Sequence, residues 1–251
     1  MRQRTDVIFV YDGTFDGFLC CVHEYYYSSF NPVEIVCEDD IETSFYQFVT
    51  IETDRYKADK VRKAIEEQIS PYTVRFLQEC MLCYGREKEY HMLQYVVKGF
   101  KKGAGIYQMV EDSDVDWLRK AHRHLKREKH LYLGITRFYK AEDAYIAVIK
   151  PKNRIVPLIA YHFSQRFAHQ NFMIYDAANK QAFLYNQKQA TVVRADNIEL
   201  PPVEEDEKYM QMLWKLFYYT IAIKERYNPR CRMNFMPKRT WDMLPEMQEN
   251  K

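Results

Sequence analysis

RIVPLIAYHFSQRFAHQNFMIYD, residues Arg154–Asp176, is the stretch whose periodicity decides how the chain is read. Pro157 suits a first helical turn, where its missing N–H has no partner to lose. Leu158, Ile159, Tyr161, His162, Phe163, Arg166 and Phe167 then recur near helical spacing. Alternating strand patterns precede the helix, near Tyr132–Phe138 and Tyr145–Ile149, and Phe172–Tyr175 follows it as a strand ending at Asp176. A helix is therefore set inside a sheet. It carries His162 and Arg166 four residues apart on one face, with Asp176 at the end of the next strand. Two readings stand. These three form a site, or Arg166 and Asp176 form a structural ion pair beside a core histidine.

Working outward, Leu131–Tyr139, Tyr145–Ile149, Phe172–Tyr175, Gln181–Tyr185 and Thr191–Arg194 read as five strands. The short connections at Lys140–Asp143 and Ala177–Lys180 favour hairpins, hence antiparallel pairing. The order of elements predicts an α+β fold, mainly an antiparallel sheet with an inserted helix. Thr53–Gly105 carries three helical patterns and reads as an α-helical layer. LPPVEEDE (Leu200–Glu207) is a connector to a long C-terminal helix from Tyr209 to about Tyr227. At the other end, Asp6–Tyr11 is a buried strand, Asp12–Gly13 a turn, and Phe15 to about Ser29 a helix ended by Pro32. Asp12 and Asp16 mark that strand–helix junction, either as a carboxylate pair or as a turn residue and an acid favoured by the helix dipole. The expectation is a single α+β domain over residues 1–251, with a possible division into 1–110 and 111–251.

The chain of 251 residues is nearly half hydrophobic and 16% aromatic, with a net charge of +2. Its seven glycines form neither a dinucleotide fingerprint nor a P-loop. No apolar run approaches the ~18 residues of a membrane span, and the N-terminus enters a strand without a signal-peptide pattern. The expectation is a cytoplasmic protein with no membrane contact and reduced cysteines. Cys80 and Cys83 form a lone C-x-x-C without a second ligand pair, so no metal and no cofactor is expected.

Positive charge is concentrated in two places. Val110–His130 reads as a helix with Arg119, Lys120, Arg123, Lys126, Arg127 and Lys129 around a buried line of Val115, Leu118, Ala121 and Leu125, and only Glu128 opposes them locally. Such density suits phosphate contacts, or simply a solvated face. The tail NPRCRMNFMPKRTWDMLPE (Asn228–Glu246) interleaves Arg230, Arg232, Lys238 and Arg239 with Phe235 and Trp241. Rings and cations in that order suit bases and phosphates. They equally suit a strap packed across the fold.

YDGTFDGFLCCVHEYY near the start, REKHLYLGITRF, HFSQRF followed by IYD, and the closing MPKRTWDMLPE occur together in an order that resembles a bacterial family called "probable DNA metabolism protein". It is a domain of unknown function linked to a radical SAM protein of DNA modification or repair, and in some members it is fused to a uracil-DNA glycosylase-like domain. The resemblance covers nearly the whole chain. It marks Asp12, Gly13 and Phe18; Glu128, His130, Arg137 and Phe138; His162, Phe163, Arg166, Phe167 and Asp176; and Met236, Pro237, Trp241 and Leu244. The chain departs from it at Ile135–Thr136, at Thr240, and in Ala177–Lys180, which lacks an arginine usual there.

Three functional readings follow. The first is a nucleic-acid-binding accessory that holds DNA for a radical SAM partner. Arg119, Lys120, Arg123, Lys126, Arg137, Arg166, Arg230, Arg232, Lys238, Arg239 and Trp241 would make its contacts. The second is an enzyme on nucleic acid or nucleotide, of hydrolase or base-excision type, with His162, Asp176, Glu128 and His130 as catalytic groups. The third is a protein–protein adaptor. The first is the leading expectation.

Overall fold

The computed structural model describes residues 4–196 and 198–248. The chain divides into two compact units, Met1–His124 and Leu125–Lys251.

In the first unit, β1 (Thr5–Tyr11), α1 (Phe15–Tyr27), β2 (Phe30–Cys37) and β3 (Gln47–Thr50) build a three-stranded sheet in the order β2-β1-β3. Both pairings are parallel. The central strand is apolar on both faces because both are covered. Val7, Phe9 and Tyr11 pack with Phe18, Leu19 and Val22 of α1, and Ile8 and Val10 pack with Val36 on the other side. Pro32 lies within β2 rather than ending the preceding element. It sits on an edge strand opposite Val7, where the register shifts, a place that tolerates a missing donor. The helical layer is α2 (Arg55–Gln68), α3 (Pro71–Cys80) and α4 (Lys88–Lys102). Asp54 caps α2 by accepting from Tyr56 N and Lys57 N, and Ser70 caps α3 by accepting from Thr73 N.

The next helix, α5 (Ser113–Ile135), is longer than its sequence suggested. Leu131–Ile135 is helical and not the start of a strand. Val115, Leu118, His122, Leu125, Glu128 and Tyr132 are buried at helical spacing, and that buried line outweighs the strand-like alternation of Leu131–Phe138. His122, not Ala121, completes the line.

In the second unit, β4 (Tyr139–Ala141), β5 (Ala144–Ile149), β6 (Asn171–Asp176), β7 (Gln181–Asn186) and β8 (Ala190–Arg194) pair in chain order. Three of the pairings are antiparallel. β5 and β6 are parallel because α6 (Val156–Arg166) crosses between them. The expected α+β class, mainly antiparallel with an inserted helix, is what this sheet has. The β4–β5 turn places Glu142 at φ 52°, as a two-residue hairpin requires. Phe138, Phe163, Phe167 and Phe172 form an aromatic cluster with ring centroids 4.8 to 6.4 Å apart. The C-terminal part holds α7 (Glu205–Ile221) and α8 (Pro229–Phe235), followed by short turns in which Thr240, Leu244 and Glu246 are buried. No described helix is long and apolar enough to cross a membrane.

Candidate functional site

In the second unit, the carboxyl ends of the parallel strands β5 and β6 converge on two buried carboxylates. Such strand ends are where sites form in α/β arrangements. Asp176, at the end of β6, is fully buried. Its Oδ1 accepts from Ala178 N at 3.1 Å and Asn179 N at 3.0 Å. Its Oδ2 accepts from Asn179 Nδ2 at 2.8 Å and Gln181 Nε2 at 3.1 Å. Glu128 reaches the loop after β5 from α5. Its Oε1 accepts from Lys152 N at 3.0 Å and from the Arg239 guanidinium at 2.5 Å. Its Oε2 accepts from Asn153 N at 2.8 Å and Asn153 Nδ2 at 2.5 Å. Asn179 Nδ2 also approaches the carbonyls of Pro151 and Asn153, at 3.3 and 3.4 Å. The two carboxylates thus belong to one network through Asn153 and Asn179.

Each carboxylate holds four donors, which is close to what its lone pairs can accept. Burial pushes the Asp176 carboxyl above its ordinary value of 3.8, and the bonds from Gln181, Asn179 and Ala178 offset only part of that rise. Burial, followed by the Glu128 charge, pushes the neighbouring Tyr132 phenol up strongly. A saturated, fully enclosed carboxylate is poorly placed to take a proton from a substrate. The network ties α5, the loop after β5, the β6–β7 turn and the tail together.

The structure does not bring His162, Arg166 and Asp176 together. His162 and Arg166 are exposed on α6, and no hydrogen bond or ion pair joins either to Asp176 among the described residues. His162 makes an edge contact with Phe163, at 5.2 Å between centroids. His130 is exposed while Glu128, two residues earlier, points inward. The alternative of an Arg166–Asp176 ion pair fails for the same reason, because Asp176 takes its donors from its own turn and β7.

The tail behaves as a strap. Arg239 is held by Glu128. Trp241 donates Nε1–H to the Met236 carbonyl at 2.9 Å, and the Arg232 guanidinium lies over its ring at 5.1 Å. Arg137 bonds Glu246 at 3.0 Å and lies over Trp214 at 4.3 Å. Trp214 Nε1 donates to the same carboxylate at 2.9 Å. Arg137 and Trp214 also border a cavity of about 570 Å³ with Lys150, Gln211 and Asp242; Lys150 and Asp242 are ion-paired across it. Arg230 and Lys238 remain exposed.

On α5, Lys120 pairs with Asp116 at 2.7 Å and Arg119 lies over Tyr107 at 4.9 Å. Arg123, Lys126 and Arg127 are exposed. The acid that seemed to oppose them, Glu128, is turned inward.

The first unit has a polar centre of its own. Asp12 follows β1 and is exposed. It accepts from Thr14 N at 2.9 Å, Thr14 Oγ1 at 2.7 Å and Thr53 Oγ1 at 2.8 Å. Partial burial raises its pKa, but these hydrogen bonds outweigh that and hold it below 3.8. Gly17 makes room for it, since a Cβ there would lie 2.2 Å from Asp12 Oδ1. Asp16 pairs instead with Arg62, so Asp12 and Asp16 do not act as a carboxylate pair.

Asn153, Asn179, Gln181 and Glu246 were not singled out from the sequence. The spacing of Asp176 and Asn179, three residues apart at the start of the β6–β7 turn, is the signal of a side-chain-capped turn and was available. Glu246 carried no local signal. Among the described residues no group of three or more His, Cys, Asp and Glu side chains has the arrangement to hold a metal ion.

A family described as "Domain of unknown function (DUF4130)" matches residues 86–246. No curated protein matches the chain. Among solved structures, the pGpG-specific phosphodiesterase PggH from Vibrio cholerae is similar at 10% identity, over 71% of this chain and 81% of that one, with a TM-score of 0.35. A likeness at that score carries no argument about fold or chemistry.

Proposed function

We propose the following for this chain, which belongs to the DUF4130 family of domains of unknown function: it is a nucleic-acid-binding accessory of DNA metabolism that presents DNA to a radical SAM partner. The observation that carries the binding part is the exposed basic row of α5. Arg123, Lys126 and Arg127 are exposed on one helix, and the nearest acid in sequence, Glu128, is buried and fully engaged. Glu128 therefore does not oppose the exposed charge of Arg123 and Arg127, which favours phosphate contacts by counterion release. Arg230 and Lys238 add exposed charge in the tail. The DNA setting and the radical SAM partner rest on the family resemblance of the motifs described above.

The enzyme reading loses ground on geometry. Of its four groups, Asp176 and Glu128 are saturated and enclosed, while His162 and His130 are exposed and no carboxylate among the described residues orients them.

Fluorescence anisotropy with single-stranded, duplex and uracil-containing DNA, at two salt concentrations, tests the proposal. Binding is expected to fall steeply with salt, and Arg123→Glu with Arg127→Glu is expected to weaken it at least tenfold. Binding unchanged by the double charge reversal overturns the assignment of this face. Absence of binding to all three DNAs overturns the function.

A further inference from the structure

α7 is inverted for a helix that serves only its own unit. Its more sheltered residues are Glu207, Gln211, Trp214, Lys215 and Tyr218, each of which ends in a polar group, and no residue of the helix is fully buried. The opposite face is apolar and open. Tyr209, Met210, Met212, Leu213, Leu216 and Phe217 are 38% to 63% exposed. Lys215 is the one charged residue from Tyr209 to Ile223.

Size and pattern say what covers this face. Nine large apolar side chains from Tyr209 to Ile223 are each at least 38% exposed. With aromatic side chains offering ~150–250 Å² each and the aliphatic ones about the lower end of that range, roughly 800 Å² of apolar surface lies open. That exceeds the ~300–600 Å² of the largest patch on a typical monomer and reaches the ~800 Å² per partner of a stable interface. Tyr209, Leu213, Leu216 and Thr220 run along its middle at spacings of 4, 3 and 4, the seam that packs against another helix. The complement must be helical and uncharged, and α7 of a second copy has both properties. Charge sets the direction. α7 carries Glu205, Asp206 and Glu207 in its first turn, and the turn that follows it, Lys224–Arg226, holds two bases around Glu225 and is basic on balance. Antiparallel pairing brings the acidic end of each copy to the basic end of the other and opposes the helix dipoles.

We propose that the protein is a homodimer joined by antiparallel packing of α7 on α7, about a two-fold axis near Leu213 and Leu216. The interface is isologous, so one surface satisfies itself and the assembly closes.

Light scattering coupled to size exclusion, together with sedimentation equilibrium over a range of concentrations, tests this on the full chain. The expected mass is twice the 30.4 kDa of the monomer. Leu216→Glu is expected to return it to 30.4 kDa with unchanged far-UV circular dichroism, because the position is open to solvent in the single copy. A wild-type chain that stays monomeric at every concentration overturns the proposal and leaves the face to a different protein. A dimer that survives Leu216→Glu also overturns it. Should that variant fail to fold, a photo-crosslinking residue in place of Leu216 decides the matter. Its expected product joins two copies through α7, and a product at another element or none at all overturns the pairing.

Discussion

Asp12 follows the central strand of the first unit, and Asp176 closes a strand of the second that runs parallel to its neighbour. Each accepts hydrogen bonds from a turn amide and from side chains. Their titrations nonetheless move in opposite directions. Asp12 is exposed, and its hydrogen bonds prevail, holding it ionised. Asp176 is fully buried, and desolvation prevails over one more hydrogen bond than Asp12 has. Hydrogen bonding to an anion lowers a pKa and desolvation raises it, and the balance falls on opposite sides at these two positions. An aspartate at a strand end is thus an accessible, ionised group in one unit and an internal tie in the other.

The most forceful way to break this comparison is to delete a carboxylate of the buried network. Glu128→Ala removes the carboxylate that accepts from the Arg239 guanidinium and from Asn153, and we expect a loss of about 3–5 kcal/mol, read as a lower denaturant midpoint. Asp176→Ala should act in the same direction, whereas Asp12→Ala should cost far less. A Glu128→Ala chain as stable as the wild type would mean the network is not a tie.

Gly17→Ala probes the other side. The added Cβ would meet Asp12 Oδ1 at 2.2 Å and Thr53 Oγ1 at 2.9 Å. Displacing them should cost about 1–3 kcal/mol, despite alanine's better helix propensity. A stabilised variant would show that the Asp12 carboxylate has no need of its position.

The third test reads a sign. The folded-state pKa of Asp176 lies above 3.8. Between 3.8 and that value the folded chain keeps a proton the unfolded chain has released, so this group's contribution falls as pH rises. Asp12 titrates below 3.8 when folded. Its contribution is present above 3.8 and is lost as pH falls through the folded value. Urea unfolding across the acid range should therefore show the cost of Asp176→Asn shrinking as pH rises, and the cost of Asp12→Asn growing. Slopes of the same sign would remove the contrast.

The smallest effect is expected at His162. It is exposed and has only a ring contact with Phe163. His162→Ala should stay within about 0.5 kcal/mol of the wild type in thermal or denaturant unfolding. A larger loss would show that it supports the buried network after all.

Much of the fold was legible because periodicity is local. The helix from Pro157, the strands at Tyr145–Ile149 and Gln181–Tyr185, and the long helix after Leu200–Glu207 all appear near their expected places. The error at Leu131–Ile135 came from a short run in which β-prone residues alternate. The helix continues there because Leu125, Glu128 and Tyr132 share its buried line. The site was legible only as residue types. Glu128 read as the one acid opposing the basic run and as a candidate catalytic group, and its inward position depends on Asn153 and Arg239, 25 and 111 residues away in the chain.

By itself, then, the sequence determined the α+β class, the order of elements, the basic row on one helix and the acids at two strand ends. These follow from side-chain spacing along a few turns or strands, which needs no distant partner. Only the tertiary structure decided that His162 and Asp176 do not meet, that the tail's Arg239 and Trp241 are held within the fold, and that α7 turns its apolar face outward. Burial and hydrogen-bond partners come from segments remote in sequence, and they set whether a charge is solvated, neutralised or enclosed.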